Sequence, residues 1–257
     1  MIKIYNEDCL KTMARMPDNY IDLTVTSPPY DNLRTYNGEL QWNETICKAI
    51  IKCLFRVTKK GGVVVWIVGD ATIKGSETGT SFNQALYFKE CGFNLHDTMI
   101  YAKKNYVPLT HNRYEQQFEY MFIWSKGKPN TFNPIMIECK TKGRETVGRT
   151  FYQTNDNDAP TKAHKKDKVK THKQAGNIWE IATNTGVKGH PAQFPEQLAH
   201  DHIISWSNEE DLIYDPFTGS GTTAKMAKIL KRNFIGSEKV KKYCEIAIER
   251  LKVEVMR

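Results

Sequence analysis

No Cys-x-x-Cys pair occurs in the 257 residues, and the six cysteines (Cys9, Cys47, Cys53, Cys91, Cys139 and Cys244) are scattered. That spacing argues against both a structural zinc site and a disulfide framework, and it fits a reduced, cytoplasmic setting. Long apolar runs are missing too. The longest, Val63 to Val68, falls far short of the ~20 residues that cross a bilayer and reads as a buried strand, so no membrane association is expected. Glu7 and Asp8 follow soon after Met1 with no apolar core, so no export signal is expected. Nor is there an acidic surplus: 37 Lys and Arg face 29 Asp and Glu, a net charge of +8. A balance of that sign points to a polyanionic partner and is silent on fold. The length suits one α/β domain with a sizeable core and a smaller insertion.

What is present is concentrated in two stretches. Ile21-Asp22-Leu23-Thr24-Val25 alternates and is β-rich, so Thr26-Ser27-Pro28-Pro29-Tyr30 stands where a strand ends. Adjacent prolines fix φ and supply no N–H, leaving a stiff turn whose free polar groups are carbonyls. Such a turn suits a primary amine on a flat ring. Ser27 Oγ and the Pro28 carbonyl can accept its two protons while the Tyr30 ring stacks on the aromatic face. By itself the stretch reads equally as a proline-rich loop or a PxxP-like ligand.

The second stretch, Asp215-Pro216-Phe217-Thr218-Gly219-Ser220-Gly221-Thr222-Thr223, follows the strand-like Leu212-Ile213-Tyr214. Gly219 and Gly221 let the backbone turn tightly beside a ligand, and a helix from near Thr222 offers its N-terminal N–H groups. Glu238 ends the next strand, about 20 residues on, the spacing at which an acid commonly holds ribose hydroxyls. A dinucleotide-binding dehydrogenase shares that logic, but its third turn glycine is replaced here by Ala224.

Together the two stretches resemble the motifs of the S-adenosylmethionine-dependent amino-methyltransferases of DNA. Ser-Pro-Pro-Tyr is similar to their catalytic motif and Asp-Pro-Phe-x-Gly-x-Gly-Thr to their cofactor motif. The catalytic motif comes first, as in the permuted beta order, and the resemblance covers nearly the whole chain. It implies a doubly wound, mostly parallel Rossmann-like sheet with one antiparallel strand and an inserted DNA-recognition region. It implies catalytic roles for Ser27, Pro28, Pro29 and Tyr30. Asp215, Pro216, Phe217, Gly219, Ser220, Gly221, Thr222 and Glu238 are then expected to bind S-adenosylmethionine. Asp8, at a strand-to-helix junction, is expected at the cofactor's adenine amine, with a plain helix cap as the alternative. Phe194, in Gly189-His190-Pro191-Ala192-Gln193-Phe194-Pro195, is expected to line the same pocket, with a proline-shaped helix entry as the alternative.

The absence of a Pro-Cys pair weighs against ring-carbon methylation, which needs a thiolate nucleophile, whereas an exocyclic amine needs none. Ser at the first catalytic position goes mostly with cytosine N4 in the family, and Asp or Asn with adenine N6. Cytosine N4 is therefore the expected target and adenine N6 the alternative. A catalytically dead DNA-binding relative is a further rival, as is an RNA or protein amine methyltransferase. A base within a duplex cannot reach such a pocket, so base flipping is implied. The resemblance admits a restriction endonuclease partner; neither that partner nor the oligomeric state is legible in the residues.

Between the motifs, strands are expected at Ile2–Tyr5, Val63–Val68, Thr98–Ala102, Phe118–Trp124 and Phe234–Gly236. Helices are expected at Cys9–Met16, Ser81–Cys91, Glu196–Trp206 and Val240–Leu251, and over Glu44–Val57, whose apolar face ends at Gly61-Gly62. Phe82 and Tyr87 read as core or face residues. The polar segment Asp31–Trp42 reads as a loop over the site, where Arg34 could touch a phosphate. From Lys128 to Gly176 apolar periodicity fades, and Lys162, Lys165, Lys166, Lys168 and Lys170 crowd together. Runs of this kind are usually solvated loops. This one falls where the family places target recognition, so phosphate contact is expected. The domain reading is thus 1–127 with 177–257 as the catalytic domain and 128–176 as the recognition insertion.

Overall fold

The computed structural model describes residues 1–29, 42–106, 112–144, 168–183 and 195–253. They divide into two compact units, Met1–Asn133 with Asn177–Arg257, and Pro134–Gly176. The larger unit is built on one eight-stranded sheet. Its strands are β1 (Ile2–Tyr5), β2 (Ile21–Thr26), β3 (Thr58–Val68), β6 (Asn94–Lys103), β7 (Phe118–Ser125), β10 (Ile178–Ile181), β11 (Leu212–Asp215) and β12 (Asn233–Ser237). They lie in the order β1-β12-β11-β2-β3-β7-β6-β10. Only β7 runs against its neighbours, pairing antiparallel with β3 and β6. All other pairings in this sheet are parallel. The expected mostly parallel sheet with one antiparallel strand is what the chain forms.

Apolar residues on both faces of the strands require cover on both sides. Helices α1 (Cys9–Ala14), α2 (Glu44–Val57) and α3 (Thr80–Glu90) cover one face, where Met13, Ile50, Leu54 and Phe88 meet Val64, Trp66, Trp124 and Tyr214. Helices α4 (Glu196–Trp206) and α5 (Thr222–Ile229) cover the other, where Leu198, Ile203 and Ala227 meet Val25, Val65, Ile123 and Ile213. The closing helix α6 (Lys241–Val253) adds Leu251 to that second face. A register shift between Ile21 and Leu23 turns these two residues to opposite faces. No described helix is long and apolar enough to cross a membrane.

The glycine pair at 61–62 does not end α2. The helix stops at Val57, Thr58 caps it in extended conformation, and β3 starts at once. Gly61, at φ +77°, sits inside this strand, where its amide donates to the Lys126 carbonyl and its carbonyl accepts from the Asn130 amide. Two further elements rise from short segments without periodicity. One is the hairpin of β4 (Thr72–Ile73) and β5 (Ser76–Glu77). The other, in the smaller unit, pairs β8 (Met136–Glu138) antiparallel with β9 (His172–Gln174). Residues 128–133 belong to the larger unit, where the Asn133 side chain donates to the carbonyls of Ile204 and Ser207.

The chain order places the site. From β2, helix α2 leads to β3 on one side; from β11, helix α5 leads to β12 on the other. Strands β2 and β11 are neighbours, so the connections part between their carboxyl ends. In an open α/β sheet that crevice is where ligands bind.

Candidate active site at the strand switch point

Thr26, the last residue of β2, and Asp215, the last of β11, face each other across this crevice. The Thr26 hydroxyl donates to Asp215 Oδ1 at 2.7 Å, and both residues are buried. The Phe217 amide donates to the same oxygen at 3.0 Å. One carboxylate therefore joins the start of the Ser-Pro-Pro stretch to the start of the glycine turn. Burial pushes this carboxyl up to about 6, against the opposing effect of its hydrogen bonds from Thr26, Phe217 and Thr223. Asp215 is 1% exposed, so it shapes the crevice from beneath. Beyond Thr26, Ser27 is partly exposed while Pro28 and Pro29 are buried.

The glycine turn is closed from several sides. The Thr218 amide donates to the Ser237 carbonyl at 3.0 Å, and the Thr218 hydroxyl donates to the Asp215 carbonyl at 3.1 Å. Pro216 is buried within the turn. A Cβ on Gly236 would stand 2.2 Å from Thr218 Oγ1, so only a glycine lets β12 pass this close. Gly221, at φ +82°, caps α5, and a Cβ there would stand 2.8 Å from the Ala247 Cβ of α6. Phe217 turns the other way, edge-on to Trp42 at 5.5 Å and to Trp66 at 6.3 Å.

Glu238 and Asp8 complete the rim. Glu238 Oε2 accepts from the Gly219 amide at 2.8 Å and Oε1 from the Val240 amide at 2.7 Å. Burial raises its carboxyl above the ordinary range, and the two amides pull it back. Asn6, at the end of β1, donates to the Glu238 carbonyl at 2.9 Å, fixing the β1 end beside the β12 end. Asp8 caps α1, accepting from the Leu10 amide at 2.9 Å. The capping alternative is thus realised, and a carboxylate oxygen retains further acceptor capacity.

Ser220 and Thr222 lie on the α6 side of the turn. Arg250 Nη1 donates to the Ser220 carbonyl at 2.6 Å and to its hydroxyl at 3.2 Å, with Thr222 Oγ1 at 3.5 Å. Arg250 Nη2 reaches Glu196 at 2.7 Å, and Lys225 reaches the same carboxylate at 2.9 Å. Sequence reasoning missed this Arg250–Glu196–Lys225 group, because its members stand on three helices and share no motif. Trp42 ends the segment expected as a loop over the site, but nothing local marked its ring contact with Phe217.

Of the other expected site residues, Tyr30, Arg34, Lys162, Lys165, Lys166 and Phe194 lie outside the described residues. Lys168 and Lys170 are exposed in the smaller unit, on either side of Val169, whose amide donates to the Arg144 carbonyl at 2.9 Å. No group of His, Cys, Asp and Glu among the described residues could hold a metal ion.

Comparison with known proteins matches this arrangement to one family. The N6_N4_Mtase model, described as DNA methylase, matches residues 21–249. The orphan methyltransferase M.BamHII of Bacillus amyloliquefaciens is 53% identical over 246 residues, 91% of this chain and 90% of that protein. Among solved structures, the PvuII DNA methyltransferase (cytosine-N4-specific) superposes with a TM-score of 0.74 at 19% identity, over 97% of this chain and 86% of that one. M1.HpyAVI, solved as a SAM complex, does so with a TM-score of 0.64 at 23% identity, over 98% of this chain and 100% of that one. With both motifs meeting at the switch point of a matching fold, the chain belongs to the N6_N4_Mtase family of DNA methylases.

Proposed function

We propose that this DNA methyltransferase moves a methyl group from S-adenosylmethionine to cytosine N4 of a base flipped out of duplex DNA. The observation that carries the reading is the Thr26–Asp215 hydrogen bond of 2.7 Å, which ties the Ser27-Pro28-Pro29 turn to the glycine turn. A nucleophile held at one turn and a methyl donor held at the other would stand in fixed relation, which is how orientation lowers a barrier.

The residues present fit that cofactor. Its amine, ribose hydroxyls and sulfonium charge all call for acceptors, and the rim offers the carboxylates of Glu238 and Asp8. Phe217 and Trp42, edge-on to each other, offer aromatic surface at the turn. Glu238 is assigned to the ribose hydroxyls, Asp8 to the adenine amine, and the Gly219–Gly221 turn to close backbone approach. Bound S-adenosylmethionine supplies an electrophilic methyl on a sulfonium.

The amine of cytosine is a poor nucleophile because its lone pair is delocalised into the ring. Ser27 Oγ and the Pro28 carbonyl accept its two N–H groups, favour a pyramidal nitrogen and aim the lone pair. The buried proline rings keep those acceptors in place without an N–H of their own. Tyr30 is assigned to stacking on the flipped base. Ser27 favours cytosine over adenine in this reading because Ser at this place goes mostly with cytosine in the family; its hydroxyl can accept from the amine while donating to the neighbouring ring nitrogen of either base. Segment 128–176, with Lys162, Lys165, Lys166, Lys168 and Lys170, is assigned to phosphate contact.

Methylation of unmodified DNA with labelled cofactor, followed by digestion to nucleosides, tests the base. Label in N4-methylcytosine is expected; label in N6-methyladenine alone would move the assignment to adenine.

A further inference from the structure

The carboxyl edge of the sheet carries a second feature, one strand beyond β3 from the Ser27 turn. Strand β7 is antiparallel, so its first residue, Phe118, lies at the edge where β3 and β6 end. Adjacent strands are about 4.8 Å apart, so β7 runs roughly 10 Å from β2. Through Trp66 the end of β2 at Thr26 is in register with Phe122, and Phe118 lies four residues farther along β7. Two connections rise here. One is the β4–β5 hairpin, turned by Lys74 at φ +48° and Gly75 at φ +81°. Positive φ at both central residues is the tight turn that matches strand twist, so the tip is stiff. The other is the lead into β7, where the Arg113 guanidinium donates to the Gly75 carbonyl and Gln116 donates to the Asp70 carbonyl at 3.3 Å. The two connections form one rim.

Large apolar side chains crowd this rim. Tyr114 is 102% exposed, and Phe82, Ile73, Tyr106 and Phe118 are 41–53% exposed. Two of them have firm support: Phe82 and Phe118 pack on Tyr120 at 5.6 and 5.3 Å, and Tyr120 stacks on Phe122 at 5.3 Å. Exposed aromatics on a rigid base mark an interaction surface. The charges around them are mixed. Lys103 pairs with Glu119 at 2.8 Å, Arg113 stands 4.0 Å from Glu77, Glu115 is half-buried, and Lys74 and Lys104 are exposed.

We propose that this rim is a second DNA-contact surface, with Tyr114 stacking on bases next to the flipped one and Lys74 and Lys104 meeting phosphates. The proposal rests on the DNA-methylating reading of the Ser27 turn. A duplex that delivers a base to β2 must continue past the ends of the neighbouring strands, and the rim stands on that path. Aromatic faces interleaved with lysines are the chemistry that holds unstacked nucleic acid. A second copy of the chain seated there would crowd the turn that receives the base.

The test compares wild type, Tyr114→Ala and Lys74→Ala/Lys104→Ala for binding to a mixed-sequence duplex by fluorescence anisotropy. S-adenosylhomocysteine affinity and Tm are measured beside it. Tyr114→Ala should weaken DNA binding about tenfold, with cofactor affinity and Tm unchanged. The lysine pair should lower the slope of log affinity against log salt by about 0.9 for each phosphate no longer neutralised. Unchanged DNA affinity in Tyr114→Ala, alongside wild-type methyl transfer to DNA, overturns the rim and leaves the methylation reading standing. A change of sedimentation with DNA affinity intact assigns the rim to a second copy and also overturns it. A wild-type chain with no DNA affinity would overturn both.

Discussion

The two turns that meet at the switch point are built in opposite ways. The β11–α5 turn adds to its local bonds a set of partners distant in sequence: Thr26, Ser237, Glu238 and Arg250 each reach into it. The turn after β2 relies instead on covalent stiffness, with two buried prolines in sequence and the Thr26–Asp215 bond at its base. The difference fits the role proposed for each. A turn that wraps a large ligand exposes several amides, and a network is needed to aim them. A turn that presents two acceptors to one nitrogen needs only a fixed backbone. Side-chain substitutions should therefore act on binding in the first turn and on chemistry in the second.

Ser27→Ala should produce the largest effect. Removing one of the two acceptors should lower kcat by about 100-fold or more, the scale on which single positioned hydrogen bonds act on developing charge. Cofactor affinity should stay unchanged, because the β11–α5 turn is intact. Single-turnover methyl transfer and calorimetry together check this; a loss of cofactor affinity equal to the loss of rate would erase the distinction between the turns.

Glu238→Ala should do the converse, weakening S-adenosylmethionine binding by roughly 1–3 kcal/mol, the scale of a lost hydrogen bond to a charged group. DNA binding should be little changed. Glu238→Gln keeps an acceptor and should fall in between. Unaltered cofactor affinity in the Ala variant would remove Glu238 from the ribose.

The two turns also differ in how far the sequence reveals them. Both motifs were legible because glycine and proline punctuation is a local signal, and the mostly parallel sheet followed from the family resemblance that those motifs carry. Helices at Glu44–Val57 and Glu196–Trp206 match the structure residue for residue. What escaped was either too short to show a period, as in the hairpin at Thr72–Glu77, or held by partners distant in sequence. Arg250 lies 30 residues from Ser220 and 54 from Glu196, and nothing local distinguishes it from other arginines on a helix face. Gly61 misled for a related reason. A glycine soon after a helix reads as its stop, yet this one lies within β3, bonded to a carbonyl and an amide from residues 126–130.

Arg250→Ala sharpens the comparison on a smaller scale. It removes the donor to the Ser220 carbonyl and leaves Glu196 with Lys225. If Arg250 positions the glycine turn, cofactor affinity should fall several-fold, and kcat at saturating cofactor should hold. Arg250→Lys should restore part of it, since one charged donor can reach one acceptor. A lower Tm with unchanged cofactor affinity would make the group a plain helix staple.

A change of slope, not of binding or rate, is expected from Asp215→Asn. The buried carboxyl has its folded-state pKa raised from 3.8 to about 6, so between these values the folded chain holds a proton that the unfolded chain has lost. Stability from this group therefore falls as pH rises from 4 to 6, by at most about 1.4 kcal/mol per pH unit. His202 works in the opposite sense. It is fully buried against Trp179 and Met121, and burial lowers its pKa from 6.5 to about 3. Over that window the unfolded chain binds the proton and the folded chain does not, so stability rises with pH. In the wild type the two slopes oppose each other between pH 4 and 6. Asn at position 215 keeps an oxygen to accept from Thr26 and the Phe217 amide but no longer titrates. The variant should show Tm climbing more steeply with pH over that interval than the wild type, with the His202 contribution unmasked. His202→Gln should tilt the curve the other way. Parallel Tm–pH curves for wild type and Asp215→Asn would mean that the carboxyl titrates alike in both states, and that the bond from Thr26 offsets its burial in full.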